Sequence, residues 1–103
     1  MRISTHVLDV ALGRSAVGVA VAVTAPDGTR HCAVTDADGR VGAFSFEEPG
    51  IYRIHFDTAG YFAATGQRGF YPEVVLAFTV DVREHYHVPL LLSPYAYSTY
   101  RGS

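Results

Sequence analysis

The sequence predicts an all-β sandwich of eight strands with one short helix. Runs rich in β-branched and aromatic residues recur about every eight to twelve residues, separated by turn signals, which is typical of an all-β sandwich. The chain has 103 residues, of which 49% are hydrophobic and 17% charged. It is therefore long enough for one packed core and too apolar for a disordered chain. We expect a single domain spanning residues 1–103.

Five strands are predicted in the first half of the chain. The second run, Val19–Ala25, is rich in valine, and β-branched residues favour strands. Pro26-Asp27-Gly28 follows it as a turn, because proline presets φ and glycine accepts positive φ. Asp36–Gly39 and Glu47–Gly50 are two further turn signals. The predicted strands are Ile3–Ala11, Val19–Ala25, Arg30–Thr35, Val41–Phe46 and Ile51–Asp57.

A short helix interrupts the strand period. Asp57 or Thr58 can cap its N-terminus, and the helix is expected to run to about Thr65. Gly66 then provides the stop signal.

Three strands are predicted after the helix. Glu73–Val82 alternates so that one face carries Val74, Leu76, Phe78 and Val80. Tyr86–Leu92 and Tyr95–Tyr100 form a hairpin about Ser93-Pro94.

Composition excludes several functional classes. The net charge of -2 gives no electrostatic case for nucleic acid or an anionic membrane, and no apolar run is long enough to span a bilayer. All eight basic residues are arginine, which excludes Schiff-base and P-loop lysine chemistry. Cys32 is the only cysteine, so no intramolecular disulfide forms, and we expect a small buried apolar residue there. The first residues already form a strand pattern without a signal peptide, so we expect a cytoplasmic protein.

Histidines and one arginine are the candidates for chemistry. His6 shares a strand face with Leu8 and Val10, because residues of the same parity lie on the same side. His85 and His87 form a His-x-His pattern that suits zinc, but no third and fourth ligands stand at obvious spacing, so we expect no metal. Arg40 follows the Asp36–Gly39 turn, either as a solvated partner of its aspartates or as a site residue. His31 and His55 are expected to be exposed or pairing residues.

The last four residues, Tyr100-Arg101-Gly102-Ser103, follow the final predicted strand directly. Chain ends usually fray, yet this segment combines an aromatic ring, a guanidinium, a hydroxyl and a carboxylate. We therefore expect it to be held in place and to belong to a site.

Four segments in order resemble one known family. They are Ser4–Asp9, Thr35–Arg40, Tyr86–Tyr95 and the terminal Tyr100–Ser103. Together they are similar to the 5-hydroxyisourate hydrolases, the transthyretin-like enzymes of urate catabolism, over essentially the whole chain. Transthyretin shares the Ser-Pro-Tyr turn but lacks the histidines and continues beyond this end, so the terminal tetrapeptide separates the enzymes from the carrier.

The resemblance implies an eight-stranded sandwich with a short helix. It also implies a homotetramer, a dimer of dimers with active sites at the interface between dimers, and no cofactor. The catalytic residues it implies are His6, Arg40, His87 and Ser103. The residues implied to shape the substrate pocket are Tyr100, Arg101 and Gly102.

This residue set suits the implied reaction, hydrolysis of 5-hydroxyisourate to 2-oxo-4-hydroxy-4-carboxy-5-ureidoimidazoline. Opening an amide-like C–N bond needs an activated water, a donor to the developing oxyanion and a proton for the departing nitrogen. Two histidines can supply base and acid near neutral pH, in either order, and Arg40 offers a planar donor fork. Ser103 can bind ligand or water through its hydroxyl and orient a histidine or arginine through its carboxylate.

Two alternatives to this enzyme remain. One is a transthyretin-like carrier that binds an aromatic ligand between subunits, although such a channel needs no pair of titratable groups with an arginine. The other is a non-catalytic sandwich used for protein interaction.

Overall fold

The fold is known from a computed structural model that describes residues 1–81 and 85–102. Over these residues the chain forms ten strand segments and one helix. In chain order they are β1 (Arg2–Asp9), β2 (Arg14–Ser15), β3 (Ala20–Thr24), β4 (Arg30–Val34), β5 (Arg40–Ser45), β6 (Gly50–Phe56), α1 (Thr58–Ala64), β7 (Val74–Val80), β8 (His85–His87), β9 (Leu90–Ser93) and β10 (Ala96–Thr99).

Two sheets pack face to face as the sequence predicts. In the first sheet β1 is central. Its first part pairs antiparallel with β5 and parallel with β8. Its last part pairs antiparallel with β2 and parallel with β9. β10 lies outside β9. The second sheet has the order β4-β3-β6-β7 with antiparallel pairs throughout. Within the described residues, β7 and β10 are therefore edge strands of their respective sheets.

The core lies between the sheets and is built from alternate side chains along each strand. Ile3 and Val7 of β1 are completely buried, as are Tyr52, Ile54 and Phe56 of β6. Burying such side chains contributes about 1.5–3 kcal/mol each. The opposite face of β1 is consequently available for polar residues.

The helix is confirmed nearly as predicted. Asp57 is the N-cap, and its carboxylate accepts a hydrogen bond from the Gly60 N–H. The helix ends at Ala64, and Gly66 follows with a φ of 68°. Tyr61 and Phe62 are buried and hold the helix against the sheets.

The structure has two strand segments more than predicted, and the other strand boundaries differ by one or two residues. The predicted strand Tyr86–Leu92 is split into β8 and β9, because Pro89 has no N–H to donate to a ladder. The two-residue strand β2 is too short to carry a periodic signal. The predicted hairpin is confirmed, with Ala96 opposite Ser93.

The expectation of a buried Cys32 is wrong. The side chain is exposed on β4, an edge strand of the second sheet. Cys32 shares the outer face of this strand with exposed Arg30 and Val34, as their common parity requires.

No helix in the described part of the chain is long and apolar enough to cross a membrane.

Candidate functional site

Polar side chains gather on the outer face of the first sheet, along the first part of β1. Ser4 lies opposite His87 in the parallel pairing with β8, and His6 lies opposite Arg40 in the antiparallel pairing with β5. The neighbours Ile3 and Thr5 point inward and are buried. The alternation of one strand thus places Ser4 and His6 together outside the core.

A β-bulge shapes this part of the sheet. The pairing of β1 with β5 runs from Ile3 opposite Phe44 to Thr5 opposite Val41, so that Gly42 and Ala43 together face Ser4. Bulges of this kind redirect side chains and are common beside active sites. Without the extra residue, Arg40 would not be the partner of His6.

A cavity of about 260 Å³ opens at this position. Its walls are formed by Ser4, Arg40, Val41, Gly42, His85 and His87. At its floor the Ser4 Oγ lies 2.8 Å from the His87 Nδ1 and 2.8 Å from the His85 Nε2. His87 is half-buried, whereas His85 is exposed. Because Ser4 occupies the Nδ1 of His87, the Nε2 is the ring nitrogen left for a reaction.

The surroundings of His87 favour its neutral form. Burial lowers the pKa of His87 below its usual 6.5, and electrostatic interactions with Arg40, His85 and His6 lower it further. A neutral imidazole near physiological pH is able to accept a proton. His87 is therefore suited to act as a general base.

His6 has one polar atom with no partner. Its Nε2 is buried and makes no hydrogen bond within the described residues. Leaving a buried polar atom unpaired costs about 1–3 kcal/mol, so this nitrogen is a candidate contact for a ligand.

Arg40 is anchored through its backbone. The Asp36 carboxylate accepts hydrogen bonds from the N–H groups of Asp38 and Arg40, and these bonds hold the pKa of Asp36 below 3.8. Gly39, with a φ of 74°, accepts a hydrogen bond from the Val7 N–H. The turn thus docks on β1. The side chain of Arg40 lines the cavity, and its guanidinium forms no salt bridge within the described residues.

Part of the terminal segment reaches the same site. Gly102 forms an isolated bridge with His87, and its N–H donates to the His87 carbonyl at 2.8 Å. A Cβ at Gly102 would lie 2.5 Å from the Cδ2 of the His87 ring, so only glycine fits there without displacing the imidazole. The predicted site residue Ser103 lies outside the described residues.

Tyr100 and Arg101 lie elsewhere. They line a separate groove of about 340 Å³ beside β7, together with Phe78 and Tyr86. The Arg101 guanidinium stacks over the Tyr86 ring, 4.9 Å from its centroid. Within one chain, these two residues do not share the cavity of His87.

The remaining histidines are placed as expected. His55 pairs with Glu73 at 3.2 Å, and His31 is exposed with its ring 4.7 Å from that of Phe46. No group of three or more His, Cys, Asp or Glu side chains in residues 1–81 and 85–102 is arranged to hold a metal.

Sequence reasoning overlooked Ser4. The signal was available, because Ser4 has the parity of His6 and must share its face. Its contact with His85 and His87 depends on the parallel pairing of β1 and β8, which local patterns do not specify.

The architecture and the site define a class, a transthyretin-like sandwich with histidines and an arginine on the outer face of one sheet. Residues 3–102 match the HIUase/Transthyretin family, and the chain belongs to that family. A "Probable 5-hydroxyisourate hydrolase" of Schizosaccharomyces pombe is 38% identical over 98% of this chain and 90% of its own. The structure of Klebsiella pneumoniae 5-hydroxyisourate hydrolase superposes with a TM-score of 0.92 at 34% identity, covering 100% of both chains. Sea bream transthyretin, solved in complex with thyroxine, gives a TM-score of 0.85 at 30% identity over 97% of this chain and 93% of its own.

Proposed function

We propose that this protein is an enzyme that hydrolyses 5-hydroxyisourate to 2-oxo-4-hydroxy-4-carboxy-5-ureidoimidazoline in urate catabolism. The observation that carries the proposal is the meeting of His6, Arg40 and His87 on one sheet face, with a cavity at His87 and a lowered pKa on that histidine. The similarity to 5-hydroxyisourate hydrolases over almost the whole chain supports it.

In the proposed reaction, His87 takes a proton from water at its Nε2 as the water attacks the substrate carbonyl. Arg40 donates hydrogen bonds to the oxyanion that develops, where a preorganised donor is most effective. His6 supplies the proton that the departing nitrogen needs. No electrons are transferred, so the sequence of steps needs no redox cofactor.

The terminal segment completes the proposed site. Gly102 allows the chain to pass against the His87 ring. Ser103 remains a proposed catalytic residue that binds substrate or water through its hydroxyl. Tyr100 and Arg101 remain proposed substrate-binding residues, and since they line a different groove of their own chain, they act by holding Gly102 in place or through a neighbouring subunit.

We also propose a homotetramer, built as a dimer of dimers with the sites between dimers. The cavity is small and lies on an open sheet face, where a second subunit would enclose it. Leu8 and Leu91 are register partners and half-buried on this same face. Among the described residues, β7 and β10 are edge strands, and we propose that these edges form the contact within each dimer. A single 1–103 domain per subunit and a cytoplasmic location remain predictions from the sequence.

The test is turnover of 5-hydroxyisourate generated from urate by urate oxidase, followed by absorbance against spontaneous decay. His6→Ala, Arg40→Ala and His87→Ala should each lower kcat by on the order of 10²–10⁴. His31→Ala and His55→Ala are the controls and should remain near wild type. No acceleration by the wild-type protein, together with thyroxine binding, would favour the carrier function.

A further inference from the structure

Ser4 joins two histidines, only one of which the proposed reaction uses. Its Oγ lies 2.8 Å from both the His87 Nδ1 and the His85 Nε2. Ser4 is 5% exposed, and its carbonyl accepts the Val88 N–H at 2.9 Å. The hydroxyl therefore has a fixed position between a half-buried ring and an exposed one.

The proton count of the hydroxyl constrains both rings. A serine hydroxyl has one proton to donate and lone pairs to accept. If the hydroxyl donates to the His85 Nε2, that ring must carry its own proton on Nδ1. The hydroxyl then accepts from the His87 Nδ1–H, so both neutral rings are Nδ1–H tautomers. If the hydroxyl instead donates to the His87 Nδ1, that ring must carry its own proton on Nε2. The hydroxyl then accepts from the His85 Nε2–H, so both neutral rings are Nε2–H tautomers. The two neutral rings are thus obliged to share one tautomer.

We propose that Ser4 is a positioning residue that fixes the reactive tautomer of His87 and relays a proton from His87 to His85. This inference rests on the proposed hydrolysis, because it concerns the base of that reaction.

The relay balances in protons and charge. In the resting state, the His87 Nδ1–H donates to Ser4, the Ser4 hydroxyl donates to the His85 Nε2, and the His87 Nε2 is free. When the His87 Nε2 takes a proton from water, its Nδ1 proton passes to Ser4 as the Ser4 proton passes to His85. His87 is then neutral with a proton on Nε2, and the positive charge resides on His85.

The electrostatic surroundings of His87 favour moving a positive charge away from that ring. The charged or titratable groups facing His87 are Arg40 from β5, His6 from β1 and His85 from its own strand, and all three oppose a positive charge on His87. Arg101 adds a guanidinium on the opposite side of the strand, over Tyr86. Since His85 is exposed in the single chain, water at the site can stabilise the charge there and later remove the proton.

The first test is independent of catalysis. Long-range ¹H–¹⁵N spectra of ¹⁵N-histidine-labelled protein, at a pH where the rings are neutral, report the tautomer of each ring. Single His→Gln substitutions assign the signals. We expect the same tautomer for His85 and His87 in the wild type and loss of this agreement in Ser4→Ala. Opposite tautomers in the wild type, or unchanged spectra in Ser4→Ala, would overturn the proposal.

The second test is kinetic. Ser4→Ala should lower kcat by roughly 10²-fold, as expected for misplacing a reactive group, with KM nearly unchanged. Ser4→Thr retains the hydroxyl and should restore most of the turnover. His85→Ala should also be slowed and should recover with added imidazole, whereas Ser4→Ala should not. Full turnover of His85→Ala without imidazole would refute the relay, and His31→Ala serves as the control.

The outcomes separate the two proposals. Shared tautomers in a protein without hydrolase activity would leave the Ser4 arrangement intact and remove the proposed function. Activity that is insensitive to Ser4→Ala would retain the function and reject the role of Ser4. Thermal melting of each variant identifies any loss that comes from unfolding.

Discussion

Adding one methyl group at Gly102 should damage the site without damaging the fold. In Gly102→Ala, the new Cβ would lie 2.5 Å from the Cδ2 and 3.1 Å from the Cγ of the His87 ring. Non-bonded carbons normally stay about 3.5–4.0 Å apart, so the imidazole must move by about 1 Å. The backbone is not the obstacle, because Gly102 does not have positive φ and alanine retains the N–H that bonds to the His87 carbonyl.

The expected effect on turnover is large. A displacement of about 1 Å at a reacting group can cost roughly 10²-fold in rate, so kcat for 5-hydroxyisourate should fall by about that factor. The melting temperature should change little. Alanine lowers the conformational entropy of the unfolded chain, which stabilises the folded state by about 0.4–1 kcal/mol and offsets part of the strain. Turnover is followed by absorbance and stability by circular dichroism.

Gly69→Ala is the matched control. Its Cβ would lie 2.1 Å from the Cδ2 of Phe62, a buried ring that does not line the cavity. Overpacking there should cost about 1–3 kcal/mol of stability while the folded protein turns over normally. If Gly102→Ala instead kept full activity, the close approach of Gly102 to His87 would have no bearing on catalysis.

Three further predictions concern other parts of the molecule. Tyr61→Phe removes a donor to the buried Asp9 carboxylate and should cost about 1–3 kcal/mol in urea unfolding. Burial alone would raise the pKa of Asp9, but hydrogen bonds hold this pKa below 3.8. The stabilisation by the ionised carboxylate is therefore present above pH 3.8 and is lost as the pH falls through the folded-state pKa. In Tyr61→Phe the loss should begin at higher pH, and an unchanged dependence of stability on acid pH would contradict the role of this hydrogen bond. Arg40→Ala removes a charge that lowers the pKa of His87, so an NMR titration should show that pKa raised toward 6.5, and no change would exclude the coupling. If the proposed tetramer forms, Leu91→Arg should convert it to dimers in sedimentation velocity and lower activity, whereas a fully active monomer would reject a site between subunits.

Local patterns predicted most of the fold because most elements carry their own signals. Valine-rich alternation defines β3, the Asp57 cap and Gly66 define the helix, and the Ser93-Pro94 turn defines the last hairpin. Each depends on residues within about ten positions of one another. The features that escaped prediction were set by distant contacts or by single residues, such as the strand break at Pro89 and the exposed face of β4.

In the site, too, local sequence patterns predicted some features and contacts between distant residues determined the others. The chemical identity of His6 and His87 is visible in the sequence, and strand parity predicts which neighbours lie on the face of His6. The bulge at Gly42 and Ala43 brings Arg40 opposite His6. A parallel pairing between residues more than eighty positions apart brings His87 opposite Ser4. Both depend on how the whole sheet assembles around β1. Because one strand contributes Ser4 and His6 while its two neighbours contribute the other groups, a shift of β1 by one residue would turn these polar side chains into the core. The register that protects Ile3 and Val7 from water therefore also maintains the site.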